Sequence, residues 1–146
     1  VGLAEALPYI ACALWAGHVA DQGNRRRIAL VALTVLVCSS AALLALTWSG
    51  AAARGKGGLL AIYGIIIVSG LARSFLQPAR QGIGAEIVPR PLYPNAVTWR
   101  TSLWQVAAVL GPAAGGLLYG FGGATVAYAT DTVLMLLALV AFTQVA

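Results

Sequence analysis

The stretch "IALVALTVLVCSSAALLALTW" (residues 28–48) contains no charged residue, no glycine and no proline. An apolar run of about 18 residues or more is long enough to cross the hydrocarbon core of a bilayer as a helix. Lipid offers no hydrogen bonds, so the backbone of such a run must satisfy its own polar groups, which an open strand does not do. The stretch therefore predicts a transmembrane helix.

The composition of the whole chain agrees with this prediction. Of its 146 residues, 60% are hydrophobic and 9% are charged, whereas soluble domains carry about 25% charged residues. The same composition excludes disordered, collagen-like and disulfide-stapled proteins. We expect an all-α, polytopic membrane protein.

On either side of this stretch, the apolar pattern predicts four more spans. The five predicted spans cover residues 3–20, 28–48, 59–76, 95–120 and 124–146. They are separated by connections at 21–27 and 77–94, a Gly/Ala-rich loop at 49–58 and a tight turn at 119–123. Pro89, Pro91 and Pro94 interrupt helix formation in the longer connection, and Asn95 is the predicted N-cap of the fourth helix. The sequence thus predicts a bundle of about five transmembrane helices.

Basic residues predict the orientation of the spans, because cytoplasmic loops carry an excess of Lys and Arg. Six arginines lie in or beside the connections at 21–27 and 77–94: Arg25, Arg26, Arg27, Arg80, Arg90 and Arg100. The loop at 49–58 has two basic residues, Arg54 and Lys56. This asymmetry predicts a multi-pass protein of the cell (inner) membrane, with its N-terminal end outside and its C-terminal end cytoplasmic. The net charge of +5 then reflects topology, and no nucleic-acid partner is expected.

The first connection, "GHVADQGNRRR" (residues 17–27), has a spacing of its own. Gly17, Asp21, Arg25 and Arg26 follow the pattern G-x-x-x-D-x-x-x-R-R. Glycine at a membrane boundary allows another helix to approach closely. Asp21 stands at the negative C-terminal end of its helix, where an anion is unfavourable without a partner. Arg25 is one candidate for that partner.

This pattern resembles the signature loop of the Major Facilitator Superfamily, G-x-x-x-D-R-x-G-R-R/K, between the second and third transmembrane helices. In that family the aspartate is thought to latch the two halves of the transporter on the cytoplasmic side, so the resemblance implies that these four residues form a gating loop. Gln22 and Asn24 depart from the pattern. Asparagine tolerates the left-handed conformation that glycine would supply, so we expect the turn to be retained. The alternative is a charged turn that anchors the helices.

A second motif, "VLGPAAGG" (residues 109–116), resembles the G-P-x-x-G-G core of the fifth helix of the same family, often called the antiporter motif. Its members here are Gly111, Pro112, Gly115 and Gly116. The proline bends the helix, and the glycine pair lets a neighbouring helix pack against the bend. The motif favours export, and ordinary packing of small residues is the alternative.

The stretch from Gln77 to Gly116 resembles the connection between the fourth and fifth helices in the branch that contains the enterobactin exporter and macrolide-efflux proteins. The shared residues are Pro78, Ala79, Glu86, Val88, Pro89, Asn95, Ala96, Gly111, Pro112 and Ala113. Position 82 is glycine where alanine is usual. The resemblance implies that the five spans are helices two to six of a twelve-helix fold. It also implies that the first helix and the C-terminal half of the protein lie outside this sequence.

Two charged residues inside the spans are candidates for substrate binding or proton coupling. Asp131 lies about 12 Å below the outer boundary of the last span, and Arg73 about 21 Å below that boundary in the third span. An intramembrane carboxylate is costly and usually faces a cavity or a partner, and a structural hydrogen bond is the alternative role for Asp131. Arg73 is long enough to reach the cytoplasmic face instead. The difference in depth of about 9 Å argues against a direct pair between them.

Nothing in the sequence predicts an enzyme, a cofactor or a metal site. Cys12 and Cys38 lie within spans and form no CxxC pair, and no Walker A or other catalytic motif is present. The sequence therefore predicts a secondary active transporter, a proton-coupled exporter of small molecules of the drug or siderophore type that works by alternating access. Its expected partners are a small-molecule substrate, the lipid bilayer and the C-terminal half of the same protein. The alternative is a non-transporting membrane domain of a sensor or of a multidomain enzyme.

The predicted orientation is tested by cysteine labelling in intact cells. In Gly23→Cys and Gly84→Cys, the new thiol should react with a membrane-impermeant maleimide only after the cells are opened, because both positions belong to the basic connections. In Gly55→Cys, the thiol should react from outside. Labelling of position 23 in intact cells would overturn the orientation.

Overall fold

The computed structural model describes residues 23–50 and 56–144, and these form three long helices. Helix α1 covers Arg25–Trp48, α2 covers Lys56–Ile87 and α3 covers Tyr93–Gln144, with a short 3-10 helix at Arg90–Leu92 before α3. No strand occurs among the described residues. The all-α class predicted from the sequence is confirmed for this part of the chain. The first predicted span, at 3–20, lies outside the described residues.

All three helices are long and apolar enough to cross a membrane. The apolar segments run over Arg25–Trp48, Gly57–Gly84 and Arg90–Gln144. The last of these has 55 residues, which at about 1.5 Å per residue is roughly 80 Å, against a hydrocarbon core of about 30 Å. This length fits one membrane only if the segment changes direction along its course.

The change of direction occurs at Gly123, which divides α3 into two segments, α3a (93–122) and α3b (124–144). Gly123 has φ 69° and ψ −174°, a backbone conformation that is essentially restricted to glycine. The chain must reverse there, because both ends of α3 lie at one end of the bundle. Near its start, Nη1 of Arg100 lies 3.9 Å from the place where a Cβ on Gly84 would stand. Near its end, the carbonyl of Thr143 accepts a hydrogen bond from Arg26.

Gly84 and Arg26 lie at the same end of the bundle. The Cδ of Arg25 lies 2.7 Å from the place where a Cβ on Gly82 would stand, so the end of α2 lies beside the start of α1. We call this end, with Arg25, Arg26 and Arg27, the basic end of the bundle. Helices α1 and α3b are antiparallel neighbours, and α1 and α2 are antiparallel as well.

The core between α1 and α2 is built from small and aliphatic residues. Its buried members are Ala29, Ala32, Leu33 and Leu36 of α1 and Ala72, Leu76 and Ala79 of α2. Ala29 and Ala79 have no exposed surface, and alanines at a helix interface let two backbones approach closely. Met135, Leu139 and Phe142 of α3b are partly buried against the same cluster. Helix α3a contributes no buried residue against the described part of the chain.

Helix α2 continues beyond position 76, where the sequence predicts its span to end, and passes through Pro78 to Ile87. Pro78 removes one amide donor from the helix. The next residue, Ala79, is fully buried in the core, so packing against α1 stabilises the helix at this point. The helix ends before Pro89, since a residue that precedes proline is disfavoured in the α conformation. The connection at 77–94 is therefore mostly helical.

The start of the next helix also differs from the prediction. Asn95, predicted as the N-cap, is a member of the first turn, because α3 begins at Tyr93. The 3-10 helix Arg90–Leu92 leads directly into it. Pro94 is accommodated because the first turn of a helix does not use its amide groups for internal hydrogen bonds. The prediction of Asn95 as the cap is therefore wrong.

The reversal at Gly123 makes a prediction for stability. Gly123→Ala should lower the free energy of unfolding by about 1–2 kcal/mol, because a side chain is strained in this conformation. Gly120→Ala is the matched control: Gly120 precedes the reversal, lies in helical backbone and has nothing within 4 Å of an added Cβ. Unfolding of both variants in mixed micelles with increasing dodecyl sulfate measures the difference. Equal stabilities would show that the turn tolerates a side chain.

Candidate functional site

A polar cluster joins α1 to α3b in the middle of the apolar helices. The Ser40 hydroxyl lies 2.6 Å from Oδ2 of Asp131, to which it donates a hydrogen bond. The same hydroxyl lies 2.9 Å from Oγ1 of Thr132. The Thr132 hydroxyl in turn donates to the backbone carbonyl of Tyr128, at 2.7 Å. We call Ser40, Asp131 and Thr132 the hydroxyl–carboxyl cluster.

The position of this cluster follows from helix geometry. Ser40 comes fifteen residues after the first residue of α1, which corresponds to about 22 Å along the axis. Asp131 comes eight residues after Gly123, or about 12 Å. Ser40 is 4% exposed, whereas Asp131 lies on the exposed side of α3b. The carboxyl therefore has a partner on α1 and an open side as well.

The predicted site residue Arg73 occupies a different face of the bundle. It is exposed, while its neighbours Ala72 and Ser74 are 7% and 2% exposed. Since Ala72 belongs to the core cluster with α1, the Arg73 side chain is directed away from that core. Its role as a candidate for substrate or proton coupling stays a prediction.

The loop that the sequence predicts to act in gating is described only in part, because Gly17 and Asp21 lie outside the described residues. Its two arginines, Arg25 and Arg26, are described, and each contacts a different helix. The Arg25 side chain crosses Gly82 of α2, with its Nη1 2.8 Å from the place where a Cβ on Gly82 would stand. With an alanine at 82, which is usual in the branch that this stretch resembles, the end of the Arg25 side chain would have to shift from this position. The glycine at 82 therefore makes room for Arg25.

Arg26 contacts the far end of α3b. Its Nη2 donates a hydrogen bond of 3.1 Å to the carbonyl of Thr143, which is in the last turn of α3. The last carbonyls of a helix have no partner within the helix and carry its negative dipole end. Arg26 therefore satisfies one of these carbonyls and places a positive charge where the dipole favours it.

Asn24 acts differently from the prediction. Its φ of −72° and ψ of 100° are extended rather than left-handed, and its side chain accepts a hydrogen bond of 3.1 Å from the amide of Arg27. Asn24 is therefore the N-cap of α1, a position at which asparagine is among the preferred residues. The expectation that it replaces glycine in a left-handed turn is wrong. The side chain begins the helix that carries both arginines.

The helix-bend motif lies in α3a, on an exposed stretch of helix. Gly111, Gly115 and Gly116 have nothing within 4 Å of an added Cβ, and Pro112 lies inside the helix. Among residues 23–50 and 56–144, no neighbouring helix packs against this face. The expected packing of a neighbour against the bend stays a prediction.

Sequence reasoning missed Ser40, Thr132 and Gly82 as site residues. Two adjacent serines, Ser39 and Ser40, interrupt an otherwise apolar run, and polar residues inside a span usually face other helices. That signal was available for Ser40. Its pairing with Asp131 depends on a contact between residues 91 positions apart, which no local pattern encodes.

Comparison with known proteins adds the family. A family model described as "Transmembrane secretion effector" matches residues 1–146. No curated protein and no solved structure matches the chain. The match covers the whole sequence and agrees with the bundle of long apolar helices. The chain therefore belongs to the transmembrane secretion effector family of the Major Facilitator Superfamily.

Proposed function

We propose that this chain is part of a secondary active transporter that exports a small molecule by alternating access and is driven by protons. The observation that carries the proposal is the hydroxyl–carboxyl cluster, which places a carboxyl group between two helices within the apolar region. Membrane-embedded carboxyl groups are costly and serve as proton relays in pumps and transporters.

Counting hydrogens in the cluster supports a protonation step. Three contacts join Asp131 to Ser40, Ser40 to Thr132 and Thr132 to the carbonyl of Tyr128. An ionised carboxylate brings no hydrogen, while each hydroxyl brings one. Two hydrogens then serve three contacts, and one contact is left without a hydrogen.

A protonated carboxyl supplies the missing hydrogen. Asp131 then donates to Ser40, Ser40 donates to Thr132, and Thr132 donates to the carbonyl of Tyr128, so that every contact carries one hydrogen. When the proton leaves Asp131, the Ser40 hydroxyl rotates and donates its hydrogen bond to the carboxylate. Thr132 must then give up either Ser40 or Tyr128. Proton release thereby removes either the Ser40–Thr132 contact between α1 and α3b or the Thr132–Tyr128 bond within α3b.

The arginines of the gating loop act on the same helices. Arg26 joins the start of α1 to the end of α3b, and Arg25 joins the start of α1 to α2. Asp21, four residues before Arg25, is the group expected to latch the loop in the closed state. A movement of α3b relative to α1 would therefore change contacts both in the hydroxyl–carboxyl cluster and at the arginines of the loop.

Asp131→Asn tests the coupling. A panel of drugs, siderophores and metabolites is first screened in liposomes that contain the complete transporter and carry a pH gradient, and the compound that accumulates is used for the variants. Asparagine keeps the shape and a hydrogen bond to Ser40 but cannot take up a proton. Gradient-driven accumulation should be lost, while downhill exchange of the compound should continue at a measurable rate.

The control is Thr130→Val, which removes a neighbouring hydroxyl that bonds to its own helix at the carbonyl of Val126. Accumulation should stay within twofold of the original protein in this variant. A pH-driven accumulation that persists in Asp131→Asn would remove this residue from proton coupling. If no compound in the panel moves, the alternative of a non-transporting membrane domain gains support.

Arg26→Gln tests the contact at the basic end. Loss of the charge that faces the last turn of α3b should lower the transport rate several-fold with little effect on membrane insertion. Arg27→Gln is the matched control, because it removes an equal charge one residue away. The Arg27 side chain has no hydrogen-bond or ion-pair partner among the described residues. Equal rates in the two variants, at equal expression, would show that the arginines act by general charge alone.

A further inference from the structure

An open cavity lies at the basic end, between α2 and α3a. Its volume is about 580 Å³, within the usual range for small-molecule sites of about 300–1,000 Å³. The polar and aromatic lining consists of Gln77, Arg80 and Gln81 of α2 and Arg100, Thr101 and Trp104 of α3a. The cavity is separate from the hydroxyl–carboxyl cluster, because none of its lining residues belongs to that cluster or contacts it.

The spacing of the lining residues explains why one cavity forms. Positions 77, 80, 81 and 84 lie on one face of α2, and positions 100, 101 and 104 on one face of α3a, since residues three or four apart are neighbours on a helix surface. Gly84 has no side chain, and Nη1 of Arg100 lies 3.9 Å from the place where its Cβ would stand. The absent side chain leaves space that the guanidinium of Arg100 borders.

The charged residues that line the cavity are both positive. Arg80 and Arg100 are both exposed, and neither has a side-chain hydrogen bond or ion pair in the described part of the chain. Among the described residues that line the cavity there is no aspartate or glutamate. Two like charges beside an apolar region repel each other, and an anion between them removes that repulsion.

The chemistry of the donors selects the kind of anion. Arginine presents a planar fork of donors that matches phosphate or carboxylate oxygens in pairs. One such fork is enough for the two oxygens of a carboxylate. Two forks with the donors of Gln77, Gln81 and Thr101 match the larger number of oxygens on a phosphate. Trp104 adds an apolar wall with one N–H donor.

We propose that this cavity binds the phosphate group of a phosphate ester, with the two guanidiniums of Arg80 and Arg100 on the phosphate and Trp104 beside the organic group that carries it. The apolar segment of α2 ends at Gly84, so the cavity lies at the level where phospholipid headgroups meet the protein. Basic pockets between membrane helices bind anionic headgroups. A soluble phosphate ester has the same binding group and is the second possible source.

The experiment measures binding without transport, so its outcome is independent of the proposed function. The full chain is placed in micelles of dodecyl maltoside, a detergent without phosphate, and titrated with dioctanoyl-phosphatidylglycerol in one arm and with glycerol 1-phosphate in the other. Tryptophan fluorescence follows binding, and Trp104→Phe identifies the part of the signal that comes from the cavity. Thermal stabilisation by each ligand provides a second readout that does not depend on Trp104.

Three variants and one control separate the cavity from general surface charge. Arg80→Gln and Arg100→Gln should each weaken binding at least tenfold. Gly84→Leu keeps both charges and fills the space, so it should abolish binding as well. Its side chain enters an open region, and the variant should fold. Arg27→Gln removes an equal charge at the same end of the bundle and should change the affinity less than twofold.

The outcomes are distinct. Binding of the lipid alone, with the expected variant effects, supports the proposal and identifies the source as a headgroup. Binding of glycerol 1-phosphate with the same effects supports it and identifies a soluble ester. The proposal is overturned if neither ligand binds. It is also overturned if Arg27→Gln weakens binding as much as Arg80→Gln, or if Gly84→Leu leaves binding unchanged.

Discussion

The antiparallel pairing of α1 with α3b depends on one backbone conformation, the reversal at Gly123. A continuous helix of this length would carry Asp131 and Thr143 far from the basic end of the bundle. The left-handed glycine returns the chain, so that Thr143 meets Arg26 and Asp131 meets Ser40. Every polar link between α1 and α3b follows from that turn. Gly122 is constrained as well, since a Cβ there would stand 2.6 Å from Cβ of Val126.

Within lipid, the two kinds of contact between helices have different roles. Buried alanines at 29 and 32 of α1 and at 72 and 79 of α2 let the two helices approach closely, because in an apolar medium close packing replaces the hydrophobic effect as the source of stability. The polar contacts are few and lie at specific depths. Interhelical hydrogen bonds in membranes contribute about 0.6–2 kcal/mol each. The hydroxyl–carboxyl cluster therefore adds little to the stability of the bundle, and its main effect is to fix the position of α3b against α1 at the level of Ser40.

The sequence predicts the features that depend on local chemistry. The apolar run at 28–48 and the glycine-rich stretch before position 124 are enough to place α1 and to anticipate the reversal near Gly123. The other features depend on contacts between helices or on where a helix begins. Helix α2 passes through Pro78 because Ala79 is buried against α1, and Asn24 caps α1 because the helix begins directly after it. The partner of Asp131 depends on a fold in which distant segments meet, which no local pattern encodes.

The two motif arginines show how one short segment reaches two helices. Because residues one apart on a helix point about 100° away from each other, Arg25 and Arg26 at the start of α1 are directed to different neighbours. Arg25 lies over Gly82 of α2, where there is no side chain in its way, and Arg26 donates to a carbonyl in the last turn of α3b. The first turn of α1 thereby joins α2 and α3b at the basic end of the bundle.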